Sequence, residues 1–300
     1  MTTPSTEAKN IQSTRLDEIS SLEIISKMNQ EDMTVVDAVH QAQSEIASAV
    51  DLITAKWIKG GRVFVVGAGT SGRVGILDAV ELGSTFSVET DRWVGLIAGG
   101  KEAMWKPLEQ FEDNAELVVE ELKSYSFNNK DTLIAISASG STPYSVAALK
   151  FAKEKKAATI SISCNQHTVS SSISDIGIEL LTGPEIIRGS TRLKAGTAQK
   201  MVMNMISTGV MIKLGKVYQN EMIDMQIINK KLRNRAIAIL MELSNKNEQE
   251  ADELLQLTNN QLKLALFIAI TEATLEEAKH YLTDTDGHLK KAIELFHSKR

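Results

Sequence analysis

The sequence predicts an α/β protein, a parallel five-stranded sheet with helices on both faces followed by a small C-terminal helical module. Three observations carry this. Short apolar runs of strand length alternate with stretches of helical periodicity, and strands separated by helices of ten or more residues imply right-handed crossovers in one parallel sheet. The first run, Val63 to Val66, is unbroken, as a strand covered on both faces requires. Beyond Asn245 the chain breaks into short amphipathic pieces, the pattern of a small helical module.

In chain order, residues up to about Ser20 are polar and weakly periodic, an arm either mobile or ordered by a neighbour. From Asp32 the apolar residues Val35, Val39, Ala42, Ile46, Ala49, Ile53 and Trp57 recur at three- and four-residue steps. This predicts one long helix, ended by Gly60-Gly61. The first strand follows, then a glycine-rich turn and a helix starting near Ser71. Val94 to Ile97 is the second strand, ending in Ala98-Gly99-Gly100. A helix from about Ala103 to Lys123 carries the acidic cluster Glu109, Glu112, Asp113 and Glu116. Thr132 to Ser137 is the third strand. It runs into a second Ser/Gly/Thr turn, where Thr142 and Pro143 read as N-cap and first residue of a helix. Ala158 to Ser163 and Ile176 to Leu180 are the fourth and fifth strands, joined by a polar connection from Asn165 to Ser174. Leu193 to Leu214 is a long helix rich in Met and Ala, suited to a core or a subunit interface. Ile223 to Leu243 is another, and the remainder divides at Asn259, Thr274 and Asp286-Gly287. The expected organisation is an N-terminal arm and helices over 1–50, a sheet domain over 51–216 and a helical region over 217–300.

Composition narrows the function. With 300 residues, 43% hydrophobic and 24% charged, the chain can bury a sizeable core. No apolar run approaches the ~18 residues that would span a bilayer, and the polar start MTTPSTEAKN has no signal-peptide core. A cytoplasmic protein without membrane contact is expected. The single cysteine, Cys164, can build neither an internal disulfide nor a cysteine zinc site, and reads as a buried small residue. The five histidines show no metal-ligand spacing. A net charge of -5 without a basic stripe gives no footprint for nucleic acid. The ligand is therefore expected to be small.

The chemistry concentrates in two turns. Gly67, Gly69 and Gly72 allow a close approach of backbone to ligand, while Thr70 and Ser71 add hydroxyls where helical amides begin to point outward. The spacing Gly67-x-Gly69-x-x-Gly72 also matches a dinucleotide fingerprint, but the second strand ends without the acidic residue that would hold a ribose. Instead Ser137, Ser139, Ser141 and Thr142 form a second hydroxyl-rich turn at the carboxyl end of a strand, where open α/β sheets bind ligands. Two such turns facing one crevice suit a phosphorylated sugar. The bland alternative is a pair of tight βα turns.

GAGTSGR at 67–73, SASGSTPY at 137–144 and GPEIIRGSTRLKAGTAQK at 183–200 together resemble the sugar isomerase (SIS) domain. Within that group the chain is similar to the branch of N-acetylmuramic acid 6-phosphate etherases and glucokinase regulators. TEAKN near the start, NQEDMTVVDAV at 29–39, LIAGG at 96–100 and GKVYQN at 215–220 extend the likeness along nearly the whole chain. The absence of a second SIS domain favours the etherase side. The resemblance implies a SIS-type sheet and a lyase that cleaves the lactyl ether of a phosphorylated amino sugar, needing neither metal nor other cofactor, in a homodimer. By resemblance Glu81 is the acid assisting lactate departure and Glu112 the base at C2. For phosphate and sugar contacts, loop chemistry and the SIS pattern nominate Gly69, Thr70, Ser71, Ser137, Ser139, Ser141 and Thr142, with Glu185, Ser190, Arg192 and Lys194 from the long segment. The chain departs from the family where Cys-Pro-Pro-Thr is usual, reading Leu82-Gly83-Ser84-Thr85. It also has Ser141 where a basic residue is common, and Arg188 where a small polar residue is usual. A noncatalytic sugar-phosphate sensor and an aldose-ketose isomerase remain the alternative readings.

Overall fold

The computed structural model describes residues 4–299. After short 3-10 turns between Ser5 and Glu18 come α1 (Ser21–Gln41) and α2 (Gln43–Ile58). The helix predicted from Asp32 thus starts eleven residues earlier, because Ser20 and Glu23 form a reciprocal capping box. It is broken at Ala42, whose ψ of 14° ends the first ladder.

The sheet domain follows as β1 (Val63–Gly67), α3 (Gly69–Phe86), β2 (Trp93–Ile97), α4 (Ala115–Ser124), β3 (Thr132–Ile136), α5 (Pro143–Glu154), β4 (Ala158–Ser163), α6 (Val169–Ile173) and β5 (Ile176–Glu179). All five strands fall where the apolar runs predict them. Two helical expectations need correction. Between β2 and α4 the chain makes only 3-10 turns at Gly100–Met104 and Glu109–Phe111. Pro107 has no N–H to donate, and Asn114 caps α4 by accepting from Glu116 N and Leu117 N. Glu112 therefore sits on a turn rather than on a helix. The polar connection after β4 holds the five-residue α6, capped by Thr168.

The remaining elements are α7 (Lys194–Lys213), the hairpin strands β6 (Val217–Tyr218) and β7 (Glu221–Met222), α8 (Lys230–Leu243), α9 (Glu248–Leu257), α10 (Leu262–Thr271), α11 (Leu275–Asp284) and α12 (Leu289–Ser298). The predicted helix from Ile223 begins only at Lys230, where Asn229 caps it. The small hairpin was not legible, since two-residue strands leave no period to read.

The strands are parallel in the order β2-β1-β3-β4-β5. Chain order reverses about β1, so the crevice between the carboxyl ends of β1 and β3 is the topological switch point of the sheet. The register places Gly67 opposite Ile136, and both Ser/Gly/Thr turns leave the sheet at one level. One face of the sheet buries Phe64, Val66, Leu133 and Ala135 against Val118, Leu122 and Tyr144 of α4 and α5. Phe64 stacks edge-on with Tyr125 and Phe127. At the entry to β1, Asp131 accepts from the Arg62 backbone and from its guanidinium at 2.8 to 3.1 Å, joining β1 to β3.

The chain divides into two compact units. The first comprises Met1–Val80 and Thr90–Ser207; the second comprises Glu81–Glu89 and Thr208–Arg300. The second has its own apolar core, with Phe267, Phe296, Leu240, Leu255 and Ala265 at its centre. Among the described residues no helix is long and apolar enough to cross a membrane.

Candidate active site

A cavity of about 500 Å³ opens in the first unit at the switch point. Its floor is the β1–α3 turn, with Gly69, Thr70 and Ser71, and the turn after β3, with Ser137, Ser139 and Thr142. The first N–H groups of a helix lack intrahelical acceptors and carry the positive end of its dipole, so the start of α3 offers an anion site. Gly72 permits the tight packing beneath it, since a Cβ there would lie 2.6 Å from the Gly67 carbonyl oxygen. Ser71 is buried and its hydroxyl donates to Gln199 Oε1 at 2.9 Å, tying α3 to α7. Thr70 is the freer hydroxyl of the pair.

The second turn is held by its own hydroxyls. Ser137 Oγ lies 2.8 Å from Thr142 Oγ1 and 3.2 Å from Ser139 Oγ, and accepts from Gly140 N. Gly140 has φ +71°, and a Cβ on it would meet Thr168 at 2.4 Å, so only glycine fits.

Glu112, with Glu109, lines the same cavity. The Glu112 carbonyl accepts from Tyr144 N at 3.0 Å, which fixes the acidic turn to the start of α5 beside the second hydroxyl-rich turn. Tyr144 is buried and donates to Glu121 Oε2 on α4. Partial desolvation and the neighbouring Asp113 and Glu109 raise the Glu112 carboxyl above the usual carboxylate range. Arg73, from the first turn of α3, donates to the carbonyls of Ala103 and Lys106 and so holds the connection leading to Glu112. Ser190 and Arg192 complete the wall, with Gly189 and Thr191 between and beside them.

The profile of glucokinase regulatory protein N-terminal SIS domains matches residues 45–153, that of SIS domains residues 105–209, and that of UBA-like domains residues 261–299. An N-acetylmuramic acid 6-phosphate etherase of Bacillus licheniformis is 53% identical over 98% of both chains. One of Enterococcus faecalis is 42% identical over 96% of both. The chain belongs to the N-acetylmuramic acid 6-phosphate etherase family. Among solved structures, the phosphoheptose isomerase of Neisseria gonorrhoeae has a TM-score of 0.50 at 13% identity, covering 63% of this chain and 98% of its own. A protein of E. coli CFT073 has a TM-score of 0.50 at 18% identity, covering 67% of this chain and 96% of its own. Both show the fold of this etherase-family chain and no more.

Other nominated residues lie elsewhere. Glu185 is buried and accepts from Lys194 N and Ala195 N, capping the start of α7. Burial nevertheless keeps its carboxyl raised. Lys194 is buried in an ion pair with Glu31 of α1. Neither lines the main cavity; both border a neighbouring one of about 180 Å³ that shares Arg192. Ser141 is exposed and lines a third cavity together with Ser139. Glu81 is exposed on the segment Glu81–Glu89 of the second unit and is not among the residues lining the 500 Å³ cavity. With Leu82-Gly83-Ser84 in place of prolines, α3 runs on to Phe86 and Ser84 Oγ donates back to Glu81 O.

Thr6, Glu7, Arg73 and Glu109 also line the cavity, beyond the residues expected from the sequence. Glu109 stood in the same acidic cluster as Glu112 and Arg73 in the same glycine-turn motif, so proximity could have nominated both. Thr6 and Glu7 lie in TEAKN, about sixty residues from the nearest other cavity residue, with no periodicity to place them.

Proposed function

We propose that the chain cleaves the D-lactyl ether of N-acetylmuramic acid 6-phosphate to give N-acetylglucosamine 6-phosphate and D-lactate. The observation that carries this is the switch-point cavity, in which two hydroxyl-rich turns suited to a phosphate share a wall with Glu112. The etherases that the chain matches over nearly their whole length support it.

The ether is a poor target for direct displacement by water. In the ring-opened sugar the C2 proton is α to an aldehyde, and the Glu112 carboxylate takes it. A carboxyl raised toward operating pH is the better base. Electrons from the C2–H bond form the C2–C3 double bond as the C3–O bond breaks, and an acid protonates the departing lactate oxygen. Water then adds to the unsaturated aldehyde at C3, so one water is consumed and one lactate released. Glu81 is assigned the acid role on the family resemblance. The phosphate is held by Thr70, Ser137, Ser139 and Thr142 with the amides of α3, and Ser190 and Arg192 face the sugar.

The reading includes a cytoplasmic homodimer. Supporting the dimer, Leu22, Ile25, Met33 and Val36 form one face of α1 and are 59% to 80% exposed, an apolar stripe that a second copy would cover.

Incubation with N-acetylmuramic acid 6-phosphate in deuterated water tests the chemistry. Lactate release with deuterium at C2 is expected, and absence of lactate sinks the etherase assignment. Glu81→Ala should stop lactate release while leaving C2 exchange. Glu112→Ala should stop the exchange itself, and full exchange in that variant would show that the base is another residue.

A further inference from the structure

The segment 4–10 supplies Thr6 and Glu7 to the cavity wall. It belongs to no sheet, and its only regular element there is one 3-10 turn, Ser5–Glu7. Side chains from elsewhere hold it. Asn165, at the carboxyl end of β4, is 4% exposed. Its Nδ2 donates to Thr6 Oγ1 at 2.9 Å and Ala138 O at 3.0 Å, while Oδ1 accepts from Ser5 Oγ at 2.9 Å and Thr6 N at 3.2 Å. Two donors and two acceptor sites are all that an amide side chain has. One residue thus fastens the segment to the second hydroxyl-rich turn, where Ala138 lies. Arg188 is a second fastening, its Nε donating to the Glu7 carbonyl at 2.7 Å. This gives the unusual arginine of the long segment a physical task.

An arm ordered at this cost in chain entropy needs a return, and the Glu7 side chain shows where it lies. Its carboxylate reaches Gly189, another cavity-lining residue, lying 3.4 Å from where a Cβ on that glycine would stand. It accepts no hydrogen bond among the described residues, although it borders the cavity. A carboxylate repels the phosphate end of a ligand and has its acceptor capacity free for neutral donors.

We propose that residues 4–10 form a strap completing the sugar cavity, clasped by Asn165 and Arg188, and that Glu7 is a specificity residue whose carboxylate accepts a hydrogen bond from a hydroxyl or amide N–H of the sugar body. This rests on the sugar-phosphate reading of the cavity and names the wall that recognises the sugar rather than the phosphate. Asn165 and Arg188 are positioning residues.

Calorimetric titration with N-acetylglucosamine 6-phosphate and with glycerol 3-phosphate, a phosphate monoester lacking the sugar ring and acetamido group, tests it without turnover. Glu7→Ala is expected to weaken the amino-sugar phosphate about tenfold, the loss of one charge-assisted hydrogen bond, and to leave glycerol 3-phosphate within about twofold. Arg188→Ser, at an exposed site that does not threaten folding, should weaken the amino-sugar phosphate selectively, and should add nothing in the Glu7→Ala background. Unchanged affinity for the amino-sugar phosphate in Glu7→Ala, or equal weakening of both ligands, would overturn the strap proposal while leaving the cavity reading intact. A wild-type protein that binds neither ligand would overturn the cavity reading and the strap with it.

Discussion

Glu112 titrates above the ordinary carboxylate range because it is partly desolvated beside Asp113 and Glu109. A raised folded-state value means that its contribution to stability is fully present below the unfolded value and is lost as pH rises through the folded one. The base role proposed for it runs the other way, since only the carboxylate accepts a proton. C2 exchange should therefore rise with pH on an acidic limb displaced above the ordinary glutamate value, and a limb at or below that value would count against Glu112. Glu112→Gln should lower exchange by roughly 10²- to 10⁴-fold while thermal unfolding at neutral pH stays equal or moves upward, because a charge that is costly to hold is gone. Cys164 makes the opposite point. Burial pushes its thiol up to about 12, so alkylation of the native protein at neutral pH should be slow and should leave activity unchanged until the chain unfolds.

At the level of elements, the turns matter more than the helices they join. Gly72 sits where a Cβ would strike both Gly67 O and Ile97 Cγ1 at 2.6 Å. Gly72→Ala should destabilise by about 1–3 kcal/mol, read as a lower urea midpoint, because backbone has to move. Tyr144 carries the same logic to α4 and α5. Removing its hydroxyl leaves the half-buried Glu121 carboxyl without that partner, and Tyr144→Phe should cost about 1–3 kcal/mol. A midpoint unchanged from wild type would show that water replaces the bond. Legibility differed by element for physical reasons. The five strands were legible because each is a run of buried apolar residues at strand length. Helix boundaries are legible where a local signal dominates, as at Thr142-Pro143, and shift from the apolar periodicity where capping by Ser20 or Asn114, or the break at Pro107, outweighs it.

For the whole molecule, the decisive event is the pairing of β1 with β3, which sets two turns separated by seventy residues at one level of the sheet. The same folding brings Thr6 and Glu7 beside Ser137 and Gly189. The apolar face of α1 argues for self-association. Sedimentation should give twice the chain mass of 32.8 kDa, and Leu22→Glu with Val36→Glu should reduce it to the single-chain value. A wild-type protein already sedimenting as one chain would rule the homodimer out.

The sequence by itself determined the α/β class, the five strands, both hydroxyl-rich turns and the acidic cluster, because each is written in residues adjacent along the chain. Only the tertiary structure decided which turns meet and that Glu185 and Lys194 serve α7 and α1 rather than the main cavity. It also decided that Asn165 and Arg188 anchor the N-terminal segment. Those outcomes depend on strand order and on hydrogen bonds spanning up to 181 positions of sequence. No local period or composition encodes such distances; they are settled when the chain buries its sheet and each interior donor finds an acceptor.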